Sequence, residues 1–97
     1  MTTDTSRRQL QIVGPDLGVD FSVRYAEILG WRLDTLAARV REVAGGRLPP
    51  DTRLAFTYRD HYGQFTRARP NDSVEWLMKR APQLTVQIAP PGDPQAV

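Results

Sequence analysis

The sequence has no cysteine, a single histidine (His61) and a single lysine (Lys79). Without cysteine there is neither a disulfide framework nor a thiolate metal site, so a domain this small must be held by packing. A reducing compartment suits such a chain, and the expected localisation is cytoplasmic. One histidine and no thiol leave nothing from which to build a histidine metal cluster or a nucleophile-histidine-acid triad. Asp60 and His61 are adjacent in the chain, which in a strand sends their side chains to opposite faces, so they make a poor acid-base pair. Gly45, Gly46 and Gly63 follow no phosphate-loop spacing. The expectation is a protein that is not an enzyme and holds no metal or cofactor. Long apolar runs are missing too: the stretches fall far short of a membrane span, and MTTDTSRR lacks the apolar core of a signal peptide. No membrane partner is expected.

What is present fits one small folded domain. The chain has 97 residues, 40% of them hydrophobic and 25% charged, which is enough apolar content for a single modest core. Of the 13 strong bases, all but Lys79 are arginine, although the net charge is only +2. Arginine favours bidentate contacts to carboxylates and phosphates and stacks on aromatic rings, which suits protein and nucleic-acid interfaces. A GC-rich genome produces the same bias without selection.

Residues 1–6 (MTTDTS) and 90–97 (PPGDPQAV) are polar or proline-rich and read as flexible tails, leaving a single domain over 7–89. Leu10 and Ile12 alternate with Gln9 and Gln11, GPDLG interrupts, and Val19, Phe21, Val23 and Tyr25 alternate with Asp20, Ser22 and Arg24. That pattern predicts a hairpin. From Trp31 to Gly45, Leu33, Leu36, Val40 and Val43 recur at helical spacing, with Asp34 or Thr35 as the cap and Gly45-Gly46 as the stop. The preceding AEILG extends the strand, extends the helix, or makes its own turn. Leu54, Phe56 and Tyr58 mark a third strand, HYGQ reverses the chain with Gly63 supplying positive φ, and FTRAR returns as a fourth. Asp72 and Glu75 form a capping box for a second helix carrying Val74, Leu77 and Met78. Gln83 to Ile88 is the fifth strand, with Leu84, Val86 and Ile88 inward. The order is strand, strand, helix, strand, strand, helix, strand. It predicts an α+β domain of the β-grasp (ubiquitin-like) roll type, in which a mixed sheet covers one long helix.

The stretch LAFTYRDHYGQFTRARPNDSVEWL, residues 54–77, resembles the diagnostic part of the Phox-and-Bem (PB-one) domain family, a ubiquitin-like interaction module. Tyr58, Asp60, Gly63, Asp72 and Val74 fall on the family pattern of an aromatic, an acid two residues on, a loop ending in glycine, and an acidic opening of the second helix. The resemblance implies a protein-protein interaction role in which an acidic loop of one domain docks against a basic patch on the first two strands of another, either a copy of itself or a relative. His61, Tyr62 and Gln64 stand where that loop usually holds acids, so Asp60 and Asp72 form a reduced acidic side. Arg7, Arg8 and Arg24, near the ends of the first hairpin, supply the basic side and call for an acidic partner.

Phe65, Arg67 and Arg69 share one face of the fourth strand, opposite Thr66 and Ala68. Arg59, Arg67 and Arg69 are the residues on which an alternative reading, RNA or single-stranded DNA binding, rests. A third reading is a scaffold subunit of a larger assembly. Trp31 and Trp76 stand at helix starts, where tryptophan more often packs than protrudes; Trp76, with Tyr62 across the loop, gives the acidic loop's surroundings an apolar character.

Overall fold

The computed structural model describes residues 8–49 and 51–97. The expected N-terminal tail and Arg7 lie outside the described residues. Among the described residues five strands form one mixed sheet: β1 (Gln9–Gly14), β2 (Val19–Arg24), β3 (Leu54–Arg59), β4 (Phe65–Arg67) and β5 (Gln83–Ile88). Two helices, α1 (Leu33–Ala44) and α2 (Val74–Arg80), complete an α+β domain, with 3-10 turns at Pro15–Leu17 and Gly45–Arg47 that the sequence pattern does not announce. The strands lie in the order β2-β1-β5-β3-β4. β1 and the central strand β5 are parallel, and the other three pairs are antiparallel.

The alternation of apolar residues decides which face is covered. Leu10, Ile12, Val19, Val23, Leu54, Phe56, Leu84 and Val86 are buried on the inner face, against Leu33, Leu36, Ala37, Val40 and Ala44 of α1 and Val74, Leu77 and Met78 of α2. Burying each large member of this set stabilises the fold by about 1.5–3 kcal/mol. The outer face carries Gln9, Gln11, Asp20, Ser22, Arg24, Gln83 and Gln87, all exposed. AEILG forms a turn of its own, with hydrogen bonds from Glu27 N to Arg24 O and from Trp31 N to Ile28 O, and it drives Ile28 fully into the core.

Four local expectations are corrected. First, α1 starts after Arg32 and neither Asp34 nor Thr35 caps it. Its start is held from afar instead: Leu33 N donates to Asp72 O at 3.1 Å, and Val74 N donates to Trp31 O at 3.0 Å. The buried stripe also turns toward Ala37 and Ala44, which leaves Val43 on its rim, 43% exposed. Second, α2 is capped by Ser73, whose Oγ accepts from Trp76 N at 3.1 Å. The Asp72 carboxylate accepts from Arg69 N instead, and the Glu75 carboxylate accepts from the Tyr25 hydroxyl at 3.2 Å. Third, Ile88 pairs with Leu54 but is the last residue of β5 and remains 55% exposed.

Fourth, residues 90–97 fold back onto the domain rather than forming a free tail. Val97 and Leu54 exchange backbone hydrogen bonds at 2.9 Å, on the side of β3 where β4 has already ended. Arg41 donates to Thr52 O and Val97 O, Arg53 donates to Ala96 O, and Arg67 pairs with Asp93. Ala96 is buried beneath this lacing. Composition pointed to a mobile segment because its partners, Arg41 on α1, Arg53 just before β3 and Arg67 on β4, are distant in sequence. No helix among the described residues is long and apolar enough to cross a membrane.

Candidate functional site

The β3–β4 hairpin turn is organised by one carboxylate. Asp60 Oδ1 accepts the amides of Tyr62 at 2.9 Å and Gln64 at 3.0 Å, and Oδ2 accepts the Thr66 hydroxyl at 3.2 Å. Backbone bonds from Asp60 N to Gln64 O and from Gly63 N to Asp60 O, both 2.9 Å, close the loop. Gly63 takes φ 81°, a region that favours glycine. The amide of Gln64, then those of Tyr62, the Thr66 hydroxyl and the nearby His61, hold the Asp60 carboxyl below the ordinary carboxylate range, against a smaller opposing effect of desolvation. The carboxylate is thus committed to its own turn.

With the turn closed from inside by polar bonds, its aromatic residues point outward. Tyr62 is 80% exposed and Phe65 69% exposed. The His61 and Tyr62 rings sit 4.1 Å apart, and the Arg59 guanidinium lies 4.9 Å from the Phe65 ring centre, across the register pair Arg59–Phe65. On α2, Trp76 is 40% exposed and carries the Arg80 guanidinium at 4.0 Å. Such stacks contribute about 0.5–1 kcal/mol at exposed sites and fix the cation in place without neutralising it.

Topology gathers these groups at one end of the sheet. Because β1 and β5 run parallel and each is flanked by an antiparallel neighbour, the starts of β1, β5 and β4 and the ends of β2 and β3 come together. Arg8, Arg24 and Arg59 therefore lie at the same end, with Arg24 opposite Gln9 in the register, and α2 delivers Lys79 and Arg80 just before β5 begins. Arg8, Arg24, Arg59 and Arg80 form no ion pair with another described residue. Among the described residues at this end, Lys79 pairs with Glu75 at 3.8 Å.

The remaining predicted positions lie elsewhere. Arg67 is drawn to Asp93, under the folded-back residues 90–97. Arg69 is exposed beyond the end of β4, and its amide is bound by Asp72. Asp72 is half-buried and occupied by that bond. The structure thus brings Arg8, Arg24, Tyr62, Phe65 and Trp76 to one end and leaves Arg67, Arg69 and Asp72 outside it. His61, Lys79 and Arg80 belong to the same surface and were not singled out as contacts. Arg80 was detectable, since it stands four residues after Trp76, the spacing at which helical side chains meet. Trp31 is half-buried against the core with Arg39 5.7 Å from its ring. Among the described residues no three His, Cys, Asp or Glu side chains cluster as a metal site. Comparison with protein-family models, with curated proteins and with solved structures gives no match to this chain.

Proposed function

We propose that the chain is a non-catalytic protein-protein interaction module with a β-grasp roll, and that it docks an acidic partner through the cationic and aromatic end of its sheet. The observation that carries this reading is the placing of Arg8, Arg24, Arg59 and Arg80 at the same end of the sheet as exposed Tyr62, Phe65 and Trp76, where Asp60 is bonded into its own turn and Glu75 is engaged by Tyr25 and Lys79. Aromatic and arginine side chains together are the composition of interface anchors. The strand and helix order, the single long helix on one face of a mixed sheet, and the resemblance of residues 54–77 to the Phox-and-Bem domains all support the same reading.

Head-to-tail stacking of copies is disfavoured because Asp60 and Asp72 spend their carboxylates on local amides. RNA or single-stranded DNA binding through Arg59, Arg67 and Arg69 is disfavoured because the middle arginine is paired with Asp93. A role as scaffold subunit is compatible with one-sided docking. Light scattering over a concentration series should show a monomer at low and at moderate salt. A photo-crosslinking residue at position 65 should couple to a glutamate- or aspartate-rich protein segment, whereas one at position 43 should not. Coupling mainly to nucleic acid, or salt-sensitive growth of the chain on its own, would refute the reading.

A further inference from the structure

Three hollows ring the turn between α2 and β5. The first, about 530 Å³, is walled by His61, Trp76, Lys79 and Arg80. The second, about 280 Å³, shares Lys79 and Arg80 with it and adds Arg8 and Met78. The third, about 480 Å³, shares Ala81 and Pro82 with the second and continues along Gln83 to Arg59 and Phe65. Their shared walls make one curved track around the end of the sheet. It begins at an aromatic pair, passes between Arg8 and Arg80, and finishes on the stacked Arg59 and Phe65. Asp60 is the only acid on its walls among the described residues, and its oxygens face the turn's own donors.

We infer that this track binds an extended acidic peptide segment, with carboxylates on Arg8, Arg59 and Arg80 and an apolar or aromatic side chain in the hollow between His61 and Trp76. This rests on the interaction-module reading and narrows it from an acidic partner to an extended strand of one. Charge complementarity selects the occupant: guanidinium groups fixed on aromatic faces are pre-oriented for carboxylates, and so lose less freedom on binding than loose side chains. A track that follows the turn between α2 and β5 admits an extended backbone lying along it, whereas the outer face of β1 and β2 suits a folded domain.

The test is fluorescence anisotropy with a labelled short peptide alternating glutamate and phenylalanine, against its lysine counterpart and a single-stranded oligonucleotide of equal charge, combined with amide-shift mapping. The acidic peptide should bind alone or best, weakening as salt rises from about 50 to about 200 mM. Its shifts should fall on residues 8–9, 59–65 and 76–83. Arg80→Ala and Arg59→Ala should each weaken binding about tenfold, the scale of an interface anchor. Arg80→Lys should recover part of the loss, and Val43→Ala should change nothing. Equal binding of the acidic and lysine peptides, or no binding of the acidic one, overturns the inference. Acidic-peptide shifts confined to Gln11, Ser22 and Arg24 also overturn it while leaving the module reading intact. An oligonucleotide that displaces the peptide overturns both.

Discussion

The turn of the first hairpin buries Leu17 and receives the Arg47 guanidinium on the Gly18 carbonyl at 3.0 Å, whereas the turn of the second buries none of residues 60–64 and hangs on the Asp60 carboxylate. The first hairpin runs through six register pairs and the second through three. An apolar anchor ties a turn to the core through one buried side chain, here Leu17, while Pro15 and Asp16 stay exposed. A polar anchor ties a turn to itself and leaves its side chains facing outward. The two turns thus mark opposite ends of the sheet, one structural and the other available for contact.

Changes to the two turns should separate these roles. The largest effect is expected for Leu17→Ala, which removes a buried side chain and should cost about 2–3 kcal/mol in urea unfolding with peptide binding unchanged. Gly18→Ala comes next. At φ 66° an added Cβ meets conformational strain and also lies 2.2 Å from Arg47 Nη1. Stability should fall by about 1–2 kcal/mol as the guanidinium is pushed off its carbonyl. Gly63→Ala carries the backbone strain alone, since nothing lies within 4 Å of its Cβ position, and should cost about 1 kcal/mol while altering binding.

Asp60→Asn should affect global stability less than these and act on the turn. Exchange at the Tyr62 and Gln64 amides should speed up, with exchange at Gly18 unaffected. The same turn has a pH signature. The folded-state pKa of Asp60 lies below its unfolded value, so its contribution is complete above the ordinary carboxylate range and is lost as pH falls through the depressed value. Amide shifts at residues 62 and 64 should follow that titration and disappear in the Asn variant. The smallest stability change belongs to Arg80→Ala, under about 1 kcal/mol, beside its large loss of peptide affinity.

Wherever period and local chemistry govern, the fold was legible in the sequence. Leu10 and Ile12, Leu54 and Phe56, and Leu84 and Val86 announced their strands and their inward face. The start of α1 was not legible, because its partner is the Asp72 carbonyl, and backbone carbonyls leave no trace in residue identity. Nor was the docking of residues 90–97, which depends on Arg41, Arg53 and Arg67 being brought together by the sheet. In the candidate site, exposed Phe65 and Tyr62 followed from the strand face and the turn, whereas Trp76 stands at a helix start, where packing was the commoner expectation, and is 40% exposed. The role of Asp60 was accessible in principle, since an aspartate opening a tight turn commonly binds the amide two residues on. The meeting of Arg8 with Arg80 was out of reach, because it requires the parallel pairing of β1 with β5.

The reciprocal bonds between residues 31–33 and 72–74 bear on how the chain folds. With no side-chain cap of its own, α1 closes its first turn on the Arg32 carbonyl, but its Leu33 amide finds its partner only when the loop ahead of α2 is in place, and that loop in turn leans on Trp31. A fragment ending before β3 should therefore hold a frayed helix at best. The two halves should form and melt as one cooperative unit, with no half-folded intermediate to expose the apolar face of the sheet.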